Sequence, residues 1–129
     1  MDFEQGFFSQ EAGCTLVIQD NGRVGYAYLL DANSKIVADV WLYNRASTPV
    51  VPEWHMRENA PFLNPVGFAG EASCFPLPRA ATDVAVEWDQ ASRAKILIQG
   101  HVAGILSRGA KPGWAANALK DGPLAKVLV

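Results

Sequence analysis

The 129-residue sequence predicts a single, mainly β domain: an antiparallel β-sandwich or flattened barrel of two meanders with one short C-terminal helix. Three observations predict it. Apolar residues alternate with polar ones at period two in several separate runs. Turn-forming residues punctuate those runs. A stretch from 44 to 82 holds six of the eight prolines and divides the runs into two groups. Proline removes a ladder donor and fixes φ, so no long central strand fits there.

Residues 14–20, Cys-Thr-Leu-Val-Ile-Gln-Asp, are β-branched and aliphatic, as a strand prefers. Asn21-Gly22 follows, a pair that tolerates positive φ at both positions and predicts a tight hairpin. Arg23 to Leu30 reads as the return strand, and Asp31 to Ser34 as the next turn. Lys35 to Tyr43 is the third strand. Ile36, Ala38, Val40 and Leu42 share one face, with Val37, Asp39, Trp41 and Tyr43 on the other. Trp41, on the face of Asp39 and Tyr43, is expected to be partly exposed and is a candidate interface anchor.

The proline-rich connection is not polar. It carries Trp54, Phe62, Leu63, Val66, Phe68 and Phe75, so it should pack on the sheet. A connection of this length without regular structure is uncommon in a compact domain and often functional. Short strands are expected at 49–56 and 66–72.

Alternation returns from Asp83 to Asp89, where Val84, Val86 and Trp88 point one way. Gln90 to Ser92 is a turn. Arg93 to Gln99 and His101 to Ser107 are two further strands, joined at Gly100. Arg108 to Gly113 is a basic loop. The three alanines and the leucine of Trp114 to Lys120 predict the short helix, ended by Asp121-Gly122-Pro123. Leu124 to Val129 reads as an edge strand or an extended tail. Such an edge would permit β-addition between copies, which makes a homo-oligomer one further reading.

Hydrophobic residues make up 50% of the chain and charged residues 19%, a globular composition. The formal net charge is -2, and the 11 Lys and Arg are scattered. Nucleic-acid binding is therefore not expected, because its electrostatic driving force is missing. No run approaches the roughly 20 apolar residues of a membrane-spanning helix. Met1 to Gln5 is acidic and lacks the basic-then-apolar pattern of a signal peptide. The expected compartment is the cytoplasm, or the periplasm if a leader has been removed. Cys14 and Cys74 are expected to be free thiols acting as small hydrophobes; in an oxidising compartment a disulfide is the alternative. A four-ligand zinc site would require both histidines and both cysteines to converge. No pair has ligand spacing, so neither metal nor cofactor is expected.

The sequence contains no Gly-x-Ser-x-Gly elbow, no phosphate loop, no Gly-x-Gly-x-x-Gly and no His-Glu-x-x-His, which leans away from an enzyme. The densest chemistry is Glu53-Trp54-His55-Met56-Arg57-Glu58, which sets an acid, an imidazole, a guanidinium and a large ring on one segment. Glu53, Trp54, His55, Arg57 and Glu58, together with Trp41, are the candidate binding residues. The plainer alternative puts Trp54 in the core and the charges in solvent. His101 is expected to be a partly buried strand residue, with general-base chemistry as its alternative.

The first functional reading is a non-catalytic module that binds another protein. The second is a small-molecule-binding β domain, with hydrolytic chemistry from His55 or His101 and Glu53 or Glu58. It requires a concave pocket in which those groups converge.

Two stretches carry a resemblance. One is Gly70 to Arg79 (Gly-Glu-Ala-Ser-Cys-Phe-Pro-Leu-Pro-Arg) running into Val84-Ala-Val-Glu-Trp88. The other is Lys111-Pro-Gly-Trp114 followed by Asp121-Gly-Pro-Leu-Ala125. About a quarter of the chain resembles small bacterial β-rich immunity-type proteins encoded beside secreted toxins. The pair of adjacent cysteines frequent in that group is not present. The resemblance implies a role in blocking a toxin partner and carries over no catalytic residue.

Overall fold

Four strands in the first half of the chain pair in sequence order: β1 (Phe3–Ser9), β2 (Cys14–Asp20), β3 (Val24–Leu30) and β4 (Ile36–Asn44). The structure, a computed structural model, describes residues 2–70, 77–89 and 92–128. All three pairings in this sheet are antiparallel. β2 shows the alternation that makes a strand legible, with Cys14, Leu16, Ile18 and Asp20 buried between half-exposed neighbours. The first strand was not expected. Phe3 to Ser9 pairs with β2 along its whole length, but Glu4, Gln5 and Gly6 interrupt any apolar period.

The β2–β3 hairpin stands where Asn21-Gly22 placed it, with different turn chemistry. Gly22 has a φ of 85°, while Asn21 does not enter the left-handed region. Asn21 works instead through its side chain, whose Oδ1 accepts from the Arg23 and Val24 amides. Asp20 Oδ1 accepts from the Gly22 amide at 2.8 Å.

The β3–β4 register shifts between Gly25 and Tyr26. Tyr26 lies opposite Trp41 and Gly25 opposite Tyr43, so Leu42 is passed over. One extra residue on a strand flips every side chain beyond it. The predicted face of Asp39, Trp41 and Tyr43 is therefore broken, and Trp41, Leu42 and Tyr43 are all buried. The expectation of a partly exposed Trp41 is corrected: it is 1% exposed. Its Nε1 donates to Asn44 Oδ1 at 2.8 Å.

The second sheet comprises β5 (Val84–Trp88), β6 (Ala94–Ile98), β7 (His101–Leu106), β8 (Trp114–Ala115) and β9 (Lys126–Val127). It is antiparallel as far as β8, and β9 then runs parallel to β8. Of the two forms expected for Leu124 to Val129, an edge strand or an extended tail, Lys126–Val127 take the first as β9. Of the turn at 90–92, Gln90 and Ala91 lie outside the described residues; the Ser92 amide bonds to Asp89 O at 3.0 Å.

The predicted C-terminal helix is not formed. Residues 114–120 supply β8 and then turn. Their backbone is committed to distant partners: Ala116 N bonds to Ala103 O, Leu119 N to Phe68 O, and Gly70 N to Asn117 O. Alanine's helix propensity is a weak preference that such tertiary bonds override. No strand forms at 49–56 either. Of 66–72, Ala69 makes one bridge to Ala118, and residues 71 and 72 lie outside the described set. Cys74 and Phe75 also lie outside it.

Both sheets contribute to one core, which includes Leu16, Ile18, Leu29 and Val40 from the first and Ile96, Ile98 and Leu106 from the second. Gly104 permits their close approach, since a Cβ there would lie 2.8 Å from Leu42 Cδ2. Cys14 is a free thiol buried in this core, accepting from Arg108 Nη2 at 3.0 Å. The edge of β4 away from β3 is covered. Gly109 N bonds to Val37 O, Asp39 N to Ala110 O, Gly113 N to Asp39 O, and Trp41 N to Leu124 O. Among the described residues, no helix is long and apolar enough to cross a membrane.

Candidate functional site

The segment from 53 to 63 has no strand or α-helix to hold it, so its shape depends on side chains. Arg23, the last residue of the β2–β3 turn, reaches across and pairs with the Glu53 carboxylate. Its Nη1 also donates to Asn59 O and Pro61 O, each at 3.2 Å. The other Glu53 oxygen accepts from the Leu63 amide at 3.0 Å. Tyr26 on β3 donates its hydroxyl to Phe62 O at 2.9 Å. One acid and one base thus close the loop at both ends and tie it to the first sheet.

This arrangement sorts the predicted residues. Glu53 is a clasp, engaged on both carboxylate oxygens. Trp54 packs edge-on against Phe68, with centroids 5.2 Å apart and planes at 84°. Its Nε1 is buried and has no hydrogen-bond partner among the described residues. His55, Arg57 and Glu58 stand exposed, the last two in the 3-10 turn Arg57–Asn59. Trp41 is held apart from them inside β4. His101 is exposed at the start of β7, opposite Ile98. It belongs to the second sheet, whereas Glu53 and Glu58 lie on the loop tied to the first.

Beside the loop lies a feature that period-based reading missed. Val50, Val51, Val66 and Leu119 are 81%, 64%, 57% and 63% exposed. Their segments are bonded side by side: Val66 N donates to Pro49 O at 2.9 Å, and Leu119 N to Phe68 O at 2.8 Å. Phe68, which carries Trp54 on its edge, has Lys120 Nζ 5.2 Å from its ring centre. Exposed aliphatic groups therefore stand on segments bonded to one another beside Phe68, whose ring partner Trp54 is followed in the chain by the exposed His55, Arg57 and Glu58. The signal available in the sequence was Pro49-Val-Val-Pro52, a β-branched pair whose flanking prolines deny it a strand.

A buried polar group lies at the same end of the sheet as Arg23, where β2 runs into the turn. Asp20 Oδ2 accepts from Tyr43 Oη at 2.7 Å and from Arg45 Nη2 at 2.6 Å. Burial alone would raise the Asp20 pKa. The bonds from Arg45, Tyr43 and the Gly22 amide, with the Arg45 charge, outweigh it and hold the carboxyl below its ordinary value. Burial, then the hydrogen bond to Asp20, push the Tyr43 hydroxyl well above the usual tyrosine range. A recess of about 240 Å³ opens nearby, lined by Tyr43, Arg45, Thr48, Leu77 and Asn117 among others. Its guanidinium is already engaged by Asp20 and Pro78 O, and neither histidine lines it. Among the described residues, no three His, Cys, Asp or Glu side chains gather as a metal site would need.

The chain matches no protein-family model, no curated protein and no solved structure.

Proposed function

We propose that the protein is a non-catalytic protein-binding module whose contact surface is the apolar cluster of Val50, Val51, Val66 and Leu119, with the 53–58 loop as its rim. The observation that carries this reading is the exposure of four aliphatic side chains on segments bonded side by side. Contiguous exposed apolar patches on soluble domains commonly mark interaction surfaces. Arg57 and the Trp54–Phe68 pair supply residue types that anchor protein interfaces. The engagement of Glu53 by Arg23 and Leu63 also argues against a hydrolytic pairing of Glu53 with a histidine. Within this class the reading is an immunity-type protein that occludes a toxin partner, supported by the sequence resemblance of Gly70–Arg79 with Val84–Trp88 and of Lys111–Trp114 with Asp121–Ala125.

The test is affinity capture from the native host with the tagged protein, alongside Val50→Asp and Leu119→Asp. Both positions are open to solvent, so the variants should keep the parent Tm. One stoichiometric protein, captured by the parent and lost from both variants, is the expected result. A specific interface would bury about 800 Å² on this side. Capture unchanged in both variants, or no captured protein, would overturn the surface assignment.

A further inference from the structure

We infer that the outer face of the first sheet carries a subsite for a cationic group, an alkylammonium or guanidinium, between Tyr28 and Asp39. Tyr26 and Tyr28 are two apart on β3 and so share a face; their rings stack at 5.9 Å with 16° between planes. Asp39 on β4 lies directly opposite Tyr28. These three residues border a recess of about 220 Å³, walled by Pro61 and Phe62 on one side and Leu124 on the other.

The chemistry of the recess is selective. Tyr26 Oη is taken by Phe62 O. The backbone of Asp39 is satisfied by Ala110 and Gly113, so its side chain is not needed there. Among the described residues the carboxylate has no side-chain hydrogen bond and no ion pair; the charge nearest in effect is the exposed Lys111. Burial lifts its pKa above the ordinary carboxylate value, against the opposing pull of Lys111. A half-buried carboxylate without a partner is unfavourable unless something pairs with it. Tyrosine faces attract a cation through the ring quadrupole, and proline, phenylalanine and leucine walls suit an aliphatic stem. A cation on a short alkyl chain satisfies all of these at once, whereas an anion would meet Asp39. The group could be supplied by a free amine or by a Lys or Arg side chain of a protein. The recess shares no lining residue with Val50, Val51, Val66 or Leu119, and its test reads different residues.

The experiment is an NMR titration of the ¹⁵N-labelled protein with n-butylammonium, n-butylguanidinium and n-butanol as the neutral isostere. Saturable shifts centred on Tyr28 and Asp39 are expected for at least one cation and not for butanol. Asp39→Asn should weaken cation binding at least tenfold without loss of Tm, and Lys111→Ala should strengthen it. A blocked Lys- or Arg-centred peptide binding at least tenfold tighter than the free cation assigns the group to a protein; equal affinity assigns it to a small amine. Butanol acting as well as both cations, or cation binding indifferent to Asp39→Asn, would overturn the inference and leave only an apolar recess.

Discussion

The ring of Tyr43 lies against the backbone of Gly25, its register partner across the β3–β4 pair. A Cβ at position 25 would stand 2.6 Å from Tyr43 Cε1 and closer still to two other ring atoms. Glycine is therefore what lets the ring lie flat and reach Asp20. Gly25→Ala must displace the ring, strain the strand and break the hydroxyl bond to Asp20. The expected cost is about 3 kcal/mol, combining overpacking with a lost buried hydrogen bond. Urea unfolding of the variant checks it, and Tyr43→Phe separates the hydrogen bond from the ring.

Asp20 and Arg45 should be energetically coupled. Asp20 is fully buried, and an asparagine there would lack the charge that pairs with the guanidinium and would set an NH2 donor against either the Gly22 amide or the Tyr43 hydroxyl and Arg45. Asp20→Asn is expected to destabilise by about 3 kcal/mol. The pH dependence follows from the direction of the shift. The folded pKa is below the ordinary 3.8, so the contribution is complete above that value and is lost as pH falls through the folded pKa. Parent stability should drop more steeply than that of the variant as the pH is lowered below 3.8, measured by denaturant midpoints.

Arg23 and Glu53 hold the loop more than they hold the fold. The pair is part-exposed, so Arg23→Met should lower global stability by only about 1 kcal/mol. Its local effect should be larger, because Asn59 O, Pro61 O and the Leu63 amide are all held through this pair. Hydrogen exchange at the Leu63 amide should quicken by an order of magnitude or more while exchange in β2 and β3 is little changed. Equal acceleration everywhere would mean the pair acts on the whole fold.

Asp39 should show the opposite pH behaviour to Asp20. Its folded pKa is raised, so its protonated form favours folding. That contribution is present below 3.8 and is lost as pH rises through the higher folded value. The groups facing it are Tyr26, Tyr28 and Lys111, and neither tyrosine changes charge in that range. Asp39→Asn should therefore match or slightly exceed the parent Tm at pH 7, read by calorimetry. A large loss of Tm would show that the carboxylate is a structural partner.

Much of the fold was legible because β2, β5 and β6 each bury one face more than the other, and period two records that directly. Trp41 was misplaced because a bulge moves the face of a strand without changing its composition. The helix at 114–120 was misread for a related reason: alanine content reports local preference, whereas Ala116 and Leu119 bond to residues far away in sequence. At the candidate site, the cluster of charge and aromatics at 53–58 was visible. The division of labour within it was not, since Glu53 became a clasp only through Arg23, thirty positions earlier. Tyr28 and Asp39 come together only through strand register, which a linear pattern does not encode.

The covering of β4 by residues 109–124 has a consequence for biosynthesis. The first four strands are made before the stretch that seals their flank. A ribosome adding roughly 5–20 residues per second leaves that rim of amide and carbonyl groups open for several seconds. During that interval the nascent sheet is a template for any passing strand. Slowing translation between β4 and residue 109 should thus favour aggregation of this chain, and a chaperone that shields β4 should relieve it.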